Sequence, residues 1–555
     1  MACSKIFSGD LPELLNNIIQ YFRNDFSTLR SCILVNRLWC RLTIPLLWKN
    51  PFSLLIPKNY HYIEIFLYNL SEEDKTQFNE IGINKNIFPT NTLFNYPSFI
   101  KCLKITEVVY SIKRRVETFK TSALQEQEKS SSHSTRIIDQ NFVQIKKLFF
   151  KSLFKIFIEN KANLHTFEVE MFIRDDYIDA FELISQNPKF ICNIRNLKLI
   201  GNLSRNYHFL KFLYNCNSIS SLHFHFSYIH SNNYMLIENN LSKLIKSQHN
   251  LKTILLNENI LPLNDLLLSL KNSNCSNTLR TIIFYHDKLK PTVNLKEVFE
   301  QLNVLESVHF LGCDLNHDFI QQIINITKPF KLKSLFMNEI LQIESLQLLL
   351  QKSGDYLENF GFDYLTNSNE LKQQVLELVM KYCRNIKFLD IYSNLDKQNI
   401  YSIFNIIKNA QQNLNYLSLS LHSYQMHHNI IELSSIILLN LGQILPFKLD
   451  YLHLHFVVKS SYLEIFLKNS QNTFIKKLLI HNRIEDQYED IVNILPCIKK
   501  YIMKKKRVEY LAILDFDDLF YLKDEVKEFE SYNIQVKNYD DSYIEFSDFV
   551  KENYY

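Results

Sequence analysis

Along most of this chain, apolar residues recur in a short unit at positions i, i+3 and i+5. The unit appears as Ile100/Leu103/Ile105, Leu164/Phe167/Val169, Ile194/Leu197/Leu199, Ile219/Leu222/Phe224, Leu251/Ile254/Leu256, Leu279/Ile282/Phe284 and Leu305/Val308/Phe310. It continues as Leu332/Leu335/Met337, Leu357/Phe360/Phe362, Ile386/Leu389/Ile391, Leu414/Leu417/Leu419, Leu449/Leu452/Leu454, Ile475/Leu478/Ile480 and Val508/Leu511/Ile513. The last two positions of each unit are two apart, so a short strand aims both to one side, while the first anchors the preceding bend. Between units, the segments 236–247, 295–301, 344–352, 371–382, 400–410 and 431–441 are apolar at three- and four-residue spacing and predict helices. A strand-plus-helix unit has apolar flanks it cannot bury alone, and stacking the units buries them in one continuous core. The pattern predicts an α/β solenoid whose units start roughly 25–35 residues apart.

The first fifty residues follow a different period. Leu11, Leu14, Leu15, Ile18, Ile19 and Phe22 form one helical stripe, with Asp10 placed to cap the helix and Pro12 in its first turn. A second apolar group holds Leu29, Cys32, Ile33, Val35 and Trp39, and Pro45-Leu46-Leu47-Trp48 marks a third short segment. A stretch this short is not expected to bury both tryptophans of the chain, Trp39 and Trp48, against itself, which points to docking on another protein.

Leu11-Pro12, the run from Ser31 to Trp39 and Pro45-Leu46-Leu47-Trp48 together resemble an F-box domain of the fungal type, over residues 7–52. The downstream units are similar to those of F-box proteins with leucine-rich repeats, although most lack the asparagine or cysteine that usually follows the strand. The resemblance implies a non-catalytic receptor in a cullin-based ubiquitin ligase. Its box would bind the Skp-family linker subunit, and through it the cullin scaffold, while the array binds a protein substrate for ubiquitination. By position, Leu11, Pro12, Leu15, Ile18, Leu34, Val35 and Trp39 fall in or beside the linker interface. The expected organisation is a three-helix F-box (7–52), a connecting segment (53–99), a first repeat with a flexible Ser/Glu/Gln-rich insertion near 121–135 (100–163), an irregular leucine-rich-repeat array (164–535) and a C-terminal tail (536–555).

Composition narrows the partners. Net charge is only +4 over 555 residues, with no broad basic block, so nucleic acid is not the expected ligand. No apolar run is long enough to cross a bilayer, so no membrane partner is expected. Ten cysteines without a Cys-x-x-Cys spacing suit buried thiols in a reducing, cytoplasmic setting. The run Lys499-Lys500 then Lys504-Lys505-Lys506-Arg507 resembles a short nuclear-import signal and leaves the nucleus open. With seven glycines in the whole chain, bends are expected to rely on asparagine.

No catalytic constellation emerges. His223/His225 and His453/His455 alternate on predicted strands, but each pair lacks a third ligand, so hydrogen-bonding or solvated histidines are expected rather than a metal. Asp515, Asp517 and Asp518 lack an accompanying phosphate loop and read as a solvated turn. No cofactor is implied. Positions between the last two apolar residues of a unit point away from the core, so Lys198, His223, His309, Phe336, Asp390, Ser418 and His453 are the candidate substrate-binding positions on a concave face. The competing reading is an F-box scaffold or tether that acts without ubiquitin transfer.

Overall fold

Every i, i+3, i+5 unit becomes a strand, and within each of the two compact units described below successive repeat strands pair in parallel. In the computed structural model, the described residues are 12–53, 60–81, 83, 88–89, 91–126, 132–170, 178–201, 207–226, 234–257, 264–271, 273–286, 288–289, 295–338, 342–363, 368–421, 427–483, 494–503, 507–515 and 517–554. The chain divides within the array into two compact units, Met1–Leu251 and Lys252–Tyr555.

The first unit opens with helices α1 (Pro12–Tyr21), α2 (Phe26–Ile33) and α3 (Arg37–Leu47). Asp25 caps α2 by accepting from the Thr28 amide at 3.0 Å, and Asn36 caps α3 by accepting from the Trp39 amide at 2.9 Å. The expected third segment at Pro45 is instead the end of α3, and Asp10 and Leu11 lie outside the described residues. Strands β1 (Cys102–Lys104), β2 (Thr166–Glu170), β3 (Asn196–Ile200) and β4 (Ser221–His225) then pair in chain order. Helices Ile105–Glu126 and Ser132–Glu159 reach into the expected flexible insertion from both sides, and residues 127–131 lie outside the described residues. A buried ion pair between Glu64 and Arg115 ties the connecting segment to the first of these helices.

A repeating backbone motif joins box and strands. The Lys101 carbonyl accepts two successive amides, His165 at 2.8 Å and Thr166 at 3.0 Å, and the His165 carbonyl does the same for Arg195 and Asn196. The Lys49 carbonyl, two residues past α3, accepts from Lys101 and Cys102 at 3.0 and 3.1 Å. The box therefore occupies the place of a preceding repeat and caps the strands.

The second unit carries β5 (Thr253–Asn257), β6 (Thr281–Tyr285), β7 (Lys288–Leu289), β8 (Ser307–Leu311), β9 (Asp314–Leu315), β10 (Leu332–Met337), β11 (Asn359–Asp363) and β12 (Phe388–Ser393). It ends with β13 (Tyr416–Leu421), β14 (Lys448–Phe456), β15 (Phe474–Asn482), β16 (Val508–Leu514) and β17 (Gln535–Val536). All pair in parallel in chain order, except that β7 and β9 form a separate two-stranded sheet. The helices at 343–353, 369–382, 397–410 and 427–444 contain the predicted ones and extend them by a few residues. Helix-facing strand residues such as Phe310, Ile391 and Leu419 pack on helix side chains including Phe319, Ile403 and Ile437.

Bends use asparagine mainly through its side chain, with Asn533 the one asparagine in left-handed backbone among the described residues. Among the described residues, the non-glycine positions with positive φ are Lys161, His286 and Asn533. Asparagines just ahead of the strands bridge neighbouring repeats instead. Asn193 donates to Asn163 at 3.0 Å, Asn303 to Asn277 at 2.9 Å, and Asn385 to the Asp355 carbonyl at 2.7 Å. They tie successive turns together along the exposed edge of the array.

Candidate docking face and the covered sheet

The box has a filled interior and an apolar exterior. Leu15, Ile19 and Leu29 are fully buried, with Phe22, Leu38, Trp39, Leu42, Leu46 and Leu47 packed around them. Leu15 is therefore core rather than interface. Trp39 is half-buried against this cluster. Trp48 packs on the chain's own connecting segment, its ring 5.1 Å from Phe66 and 4.2 Å from Tyr96. The two indoles thus find partners within the chain, contrary to the expectation from size alone. The connecting segment supplies the aromatic surface that the box lacks.

What remains outside is a different set. Leu14, Ile18 and Tyr21 share the outer stripe of α1 at helical spacing, and Leu34 and Val35 occupy the turn between α2 and α3. Leu34 is 87% exposed, Val35 52% and Tyr21 89%. None of these five lines the cavity of about 220 Å3 where the box meets the connecting segment, which is bounded by Phe26, Ile33, Ile44, Trp48 and Tyr62.

The expected open face of the array is closed in the second unit. His309, Phe336, Asp390, Ser418 and His453 do project from the sheet opposite the helices, but all five are buried. The chain covers them itself. After β17, a strap of residues 538–554 runs back across the sheet as a short helix, Tyr539–Ser542, followed by the C-terminal helix Phe546–Tyr554. Near β16, Tyr539 packs with Tyr451, Leu479 and Ala512. Farther along, Phe549 and Val550 pack with Leu255, Ile283, Leu311, Phe336 and Phe388. The tail is an integral layer, and the sheet is buried on both faces as parallel sheets usually are.

Polar groups fix the strap at both ends. Asp518 accepts from the Tyr539 amide and the Asn538 side chain, each at 2.9 Å. The Tyr451 hydroxyl accepts from the Ile544 amide at 3.2 Å, and the Tyr285 hydroxyl donates to Glu545 at 3.1 Å. At the far end, the Tyr554 hydroxyl donates to Glu358 at 3.0 Å and its ring lies 4.4 Å from His309. Burial would raise the Glu358 carboxyl, but hydrogen bonds from Lys333 and Lys387 outweigh it and hold the group below its ordinary range. Burial pushes the Tyr554 phenol up to about 12.

Two histidines sit beneath this layer. His453 Nδ1 lies 3.0 Å from the Ser418 hydroxyl and its Nε2 lies 2.7 Å from that of Tyr539. Burial, with His455 and His481 nearby, pulls its pKa down to about 3. His309 Nδ1 bonds the Ser334 hydroxyl at 2.7 Å, and burial again brings its pKa to about 3. Both rings are neutral over the physiological range.

In the first unit, Lys198 pairs with Glu168 at 3.2 Å and His223 is buried. Asp515 accepts from the Asn482 side-chain amide at 3.0 Å and Asp518 from the Tyr539 amide, so these two hold turns, while Asp517 stands exposed as expected. Arg507 of the basic run is buried and donates to the Ser470 and Leu467 carbonyls at the end of helix Ser460–Asn469. Lys499 pairs with Glu528 at 2.7 Å, and Lys504–Lys506 lie outside the described residues. Burial pushes the Cys216 and Cys383 thiols up to about 12, which leaves them protonated at neutral pH.

Among the described residues, no group of three His, Cys, Asp or Glu is placed to hold a metal ion, and no helix is long and apolar enough to cross a membrane. No protein-family model and no curated protein matches this chain.

Proposed function

We propose that this protein is a substrate-recognition adaptor of a cullin-based ubiquitin ligase, with the N-terminal box docking the Skp-family linker subunit and the repeat array holding a protein substrate. The observation that carries the reading is the exposed set on the box, Leu14, Ile18, Tyr21, Leu34 and Val35, around an interior already filled by Leu15, Ile19 and Leu29. These side chains are not needed for the box's own core, and an exposed apolar surface of this kind suits a protein partner. The strap restricts where the substrate can bind. In the second unit it must engage the outer surface of the strap or the rim beside it, and in the first unit the surroundings of Lys198 stay accessible.

Catalysis in such a complex is by proximity: the receptor raises the local concentration of substrate lysines near an activated ubiquitin carrier and contributes no chemical group. The test is direct association of the full-length protein with recombinant linker subunit. Binding that is lost in Leu34→Asp and Val35→Asp, with unchanged thermal unfolding, is the expected result. Failure of the wild type to bind at micromolar concentration overturns the adaptor reading.

A further inference from the structure

One register position of the first unit carries side chains of a single sign. Lys49 follows the box, and Lys101, His165 and Arg195 stand just ahead of β1, β2 and β3. Their backbones are bonded each to the next: the Lys49 carbonyl accepts from Lys101 at 3.0 Å, the Lys101 carbonyl from His165 at 2.8 Å and the His165 carbonyl from Arg195 at 2.8 Å. Neighbouring strands lie roughly 4.8 Å apart, so the four residues form a ladder spread over roughly 14 Å of the rim. Lys49 and Arg195 are exposed, and Lys101 and His165 are half-buried. Among the described residues, none of the four side chains makes an ion pair, a hydrogen bond or a ring contact. Burial, with the charges of Lys101, Arg195 and Lys49, holds the His165 imidazole below its ordinary range, and among the described residues no carboxylate offsets them.

Elsewhere the fold balances its own charge. In the second unit the same position alternates in sign: Arg280 is followed by Glu306 and pairs with it at 2.9 Å, and Glu358 is followed by Lys387 and pairs with it at 3.1 Å. Within the first unit, the strand residues beside the ladder are also matched, Lys198 with Glu168 at 3.2 Å and Lys104 with Glu107 at 3.1 Å. The ladder alone lacks counter-charges.

We infer that this ladder binds a short acidic segment of a protein partner, whose carboxylates sit between neighbouring rungs. The inference rests on the reading of the array as the part that holds a protein substrate, and it gives the chemistry of the segment held. Like charges side by side repel one another, and an external anion placed between them turns that repulsion into attraction at each rung. The length of the ladder selects a peptide. It ends after Arg195, because the next residue in the position is Ser220, whose hydroxyl donates to the Arg195 carbonyl at 3.0 Å. An extended peptide rises ~3.4 Å per residue, so four or five residues cover the row. A polynucleotide gains from a longer basic track and from aromatic platforms for its bases. The strand face next to this row presents the carboxylates of Glu168 and Glu170 instead.

The test uses the full chain and two capped hexapeptides, one with four glutamates between terminal glycines and one with glutamines in their place, followed by ligand-observed NMR titration. The glutamate peptide is expected to bind saturably and at least about tenfold more tightly than the glutamine peptide. Its affinity should fall with added salt. Lys49→Gln combined with Arg195→Gln should remove most of the difference between the peptides. Lys189→Gln combined with Lys211→Gln takes the same charge from two other exposed positions of the first unit and should leave the difference in place. Equal binding of both peptides, no saturable binding, or an equal loss in the two double variants overturns the ladder as a site. An eight-nucleotide oligothymidine that binds as tightly as the glutamate peptide overturns the choice of a peptide. If the first double variant does not fold, Arg195→Gln alone is compared with Lys189→Gln alone. Linker association measured on the same protein keeps the two readings apart. Lost linker binding with intact glutamate preference counts only against the adaptor, and the reverse result counts only against the ladder.

Discussion

The Tyr539 hydroxyl sits 2.7 Å from Nε2 of His453, joining the strap to the middle of the sheet through a buried imidazole. The other ring nitrogen meets Ser418, so both polar atoms of the histidine are satisfied only when the strap is in place. Tyr539→Phe keeps the ring and removes that partner. Leaving a buried donor or acceptor unpaired costs about 1–3 kcal/mol. The expected outcome is a loss of this size in urea unfolding, with faster amide exchange between Tyr539 and Tyr554. Unchanged exchange in the strap would show that the bond does not hold it.

Acid should weaken the same region. His453 and His309 titrate near 6.5 when unfolded but at about 3 when folded, so between those values the unfolded chain binds more protons. Stability then rises with pH through this window: the contribution is complete above 6.5 and is lost as pH falls toward 3. At pH 5 each ring costs on the order of 1–2 kcal/mol. Around His453 the facing groups are His455, His481, Tyr451, Tyr539 and Tyr543, and around His309 they are Glu358, Lys333 and Tyr554. Among the described residues, His309 Nε2 has no hydrogen-bond partner, so a proton there would also create a buried unpaired N–H. His309→Gln combined with His453→Gln should flatten the pH dependence of the unfolding midpoint between pH 5 and 7, whatever it does to the midpoint itself.

The repeat strands and most inter-repeat helices are legible in the sequence, because a strand aiming two residues at a helix layer imposes the same spacing at Leu164 as at Val508. The strap was not legible as a layer, although its signal is present. Leu255, Ile283, Phe336, Leu479 and Ala512 stand at the outward position between two core residues, where a solvated face would carry polar side chains. Such runs, apolar on both faces, mark a sheet covered on both sides. Reading His309, Phe336, Asp390, Ser418 and His453 as an open surface took mostly the polar members of that row, treated Phe336 as an isolated apolar contact and passed over Leu255, Ile283, Leu479 and Ala512. The missing cover lies in the final residues, where Tyr539, Ile544, Phe546, Phe549, Val550 and Tyr554 are too unevenly spaced to register as a repeat. In the box, Leu15 and Leu34 both read as interface by position in the F-box resemblance, which does not separate a buried residue from an exposed one. Only the break between α2 and α3 at Leu34–Asn36 separates the core residue from the exposed one.

That separation gives a paired prediction. Leu15 is fully buried, so Leu15→Ala removes core packing and should cost about 2–5 kcal/mol of stability in the first unit. Leu34→Ala, at an exposed turn, should stay within about 0.5 kcal/mol of wild type. In linker binding the order should reverse per unit of stability lost. Leu34→Ala is expected to weaken association while the unfolding curve is unchanged, and calorimetry of both variants beside their melts checks it.

Gly361 is constrained from two sides. A Cβ there would meet the Asp390 carbonyl oxygen as well as the Phe336 ring, and a backbone atom on a neighbouring strand cannot swing aside. Its φ is not in the left-handed region, so the demand is for space rather than for backbone freedom. Gly361→Ala is expected to destabilise the second unit by about 1–3 kcal/mol through overpacking. By pushing Phe336 out of its stack with Phe546, it should also lower tyrosine and phenylalanine order in the strap, visible as broadened aromatic NMR resonances. A variant with wild-type stability and spectra would mean that β11 and β12 can separate at this point.

Removing the strap is the most severe test of the two-faced sheet. Ending the chain after Lys537 leaves β17 and the hydrogen bond from the Lys537 N–H to the Leu511 carbonyl in place but uncovers Leu255, Ile283, Leu311 and Phe388. Phe546, Phe549 and Val550 would each forfeit about 1.5–3 kcal/mol of burial, and the histidines would lose Tyr539 and Tyr554 as neighbours. An exposed row of this length on a parallel sheet exceeds what monomeric proteins usually leave wet, so the truncated chain should bind hydrophobic dye and self-associate in sedimentation. A synthetic peptide of residues 538–555 added in trans should suppress both effects, because the surface it meets is already shaped by the strands. If the truncated chain stays monomeric and dye-silent, the strands must close over their own outer face without it, and the strap would be an accessory rather than a layer of the fold.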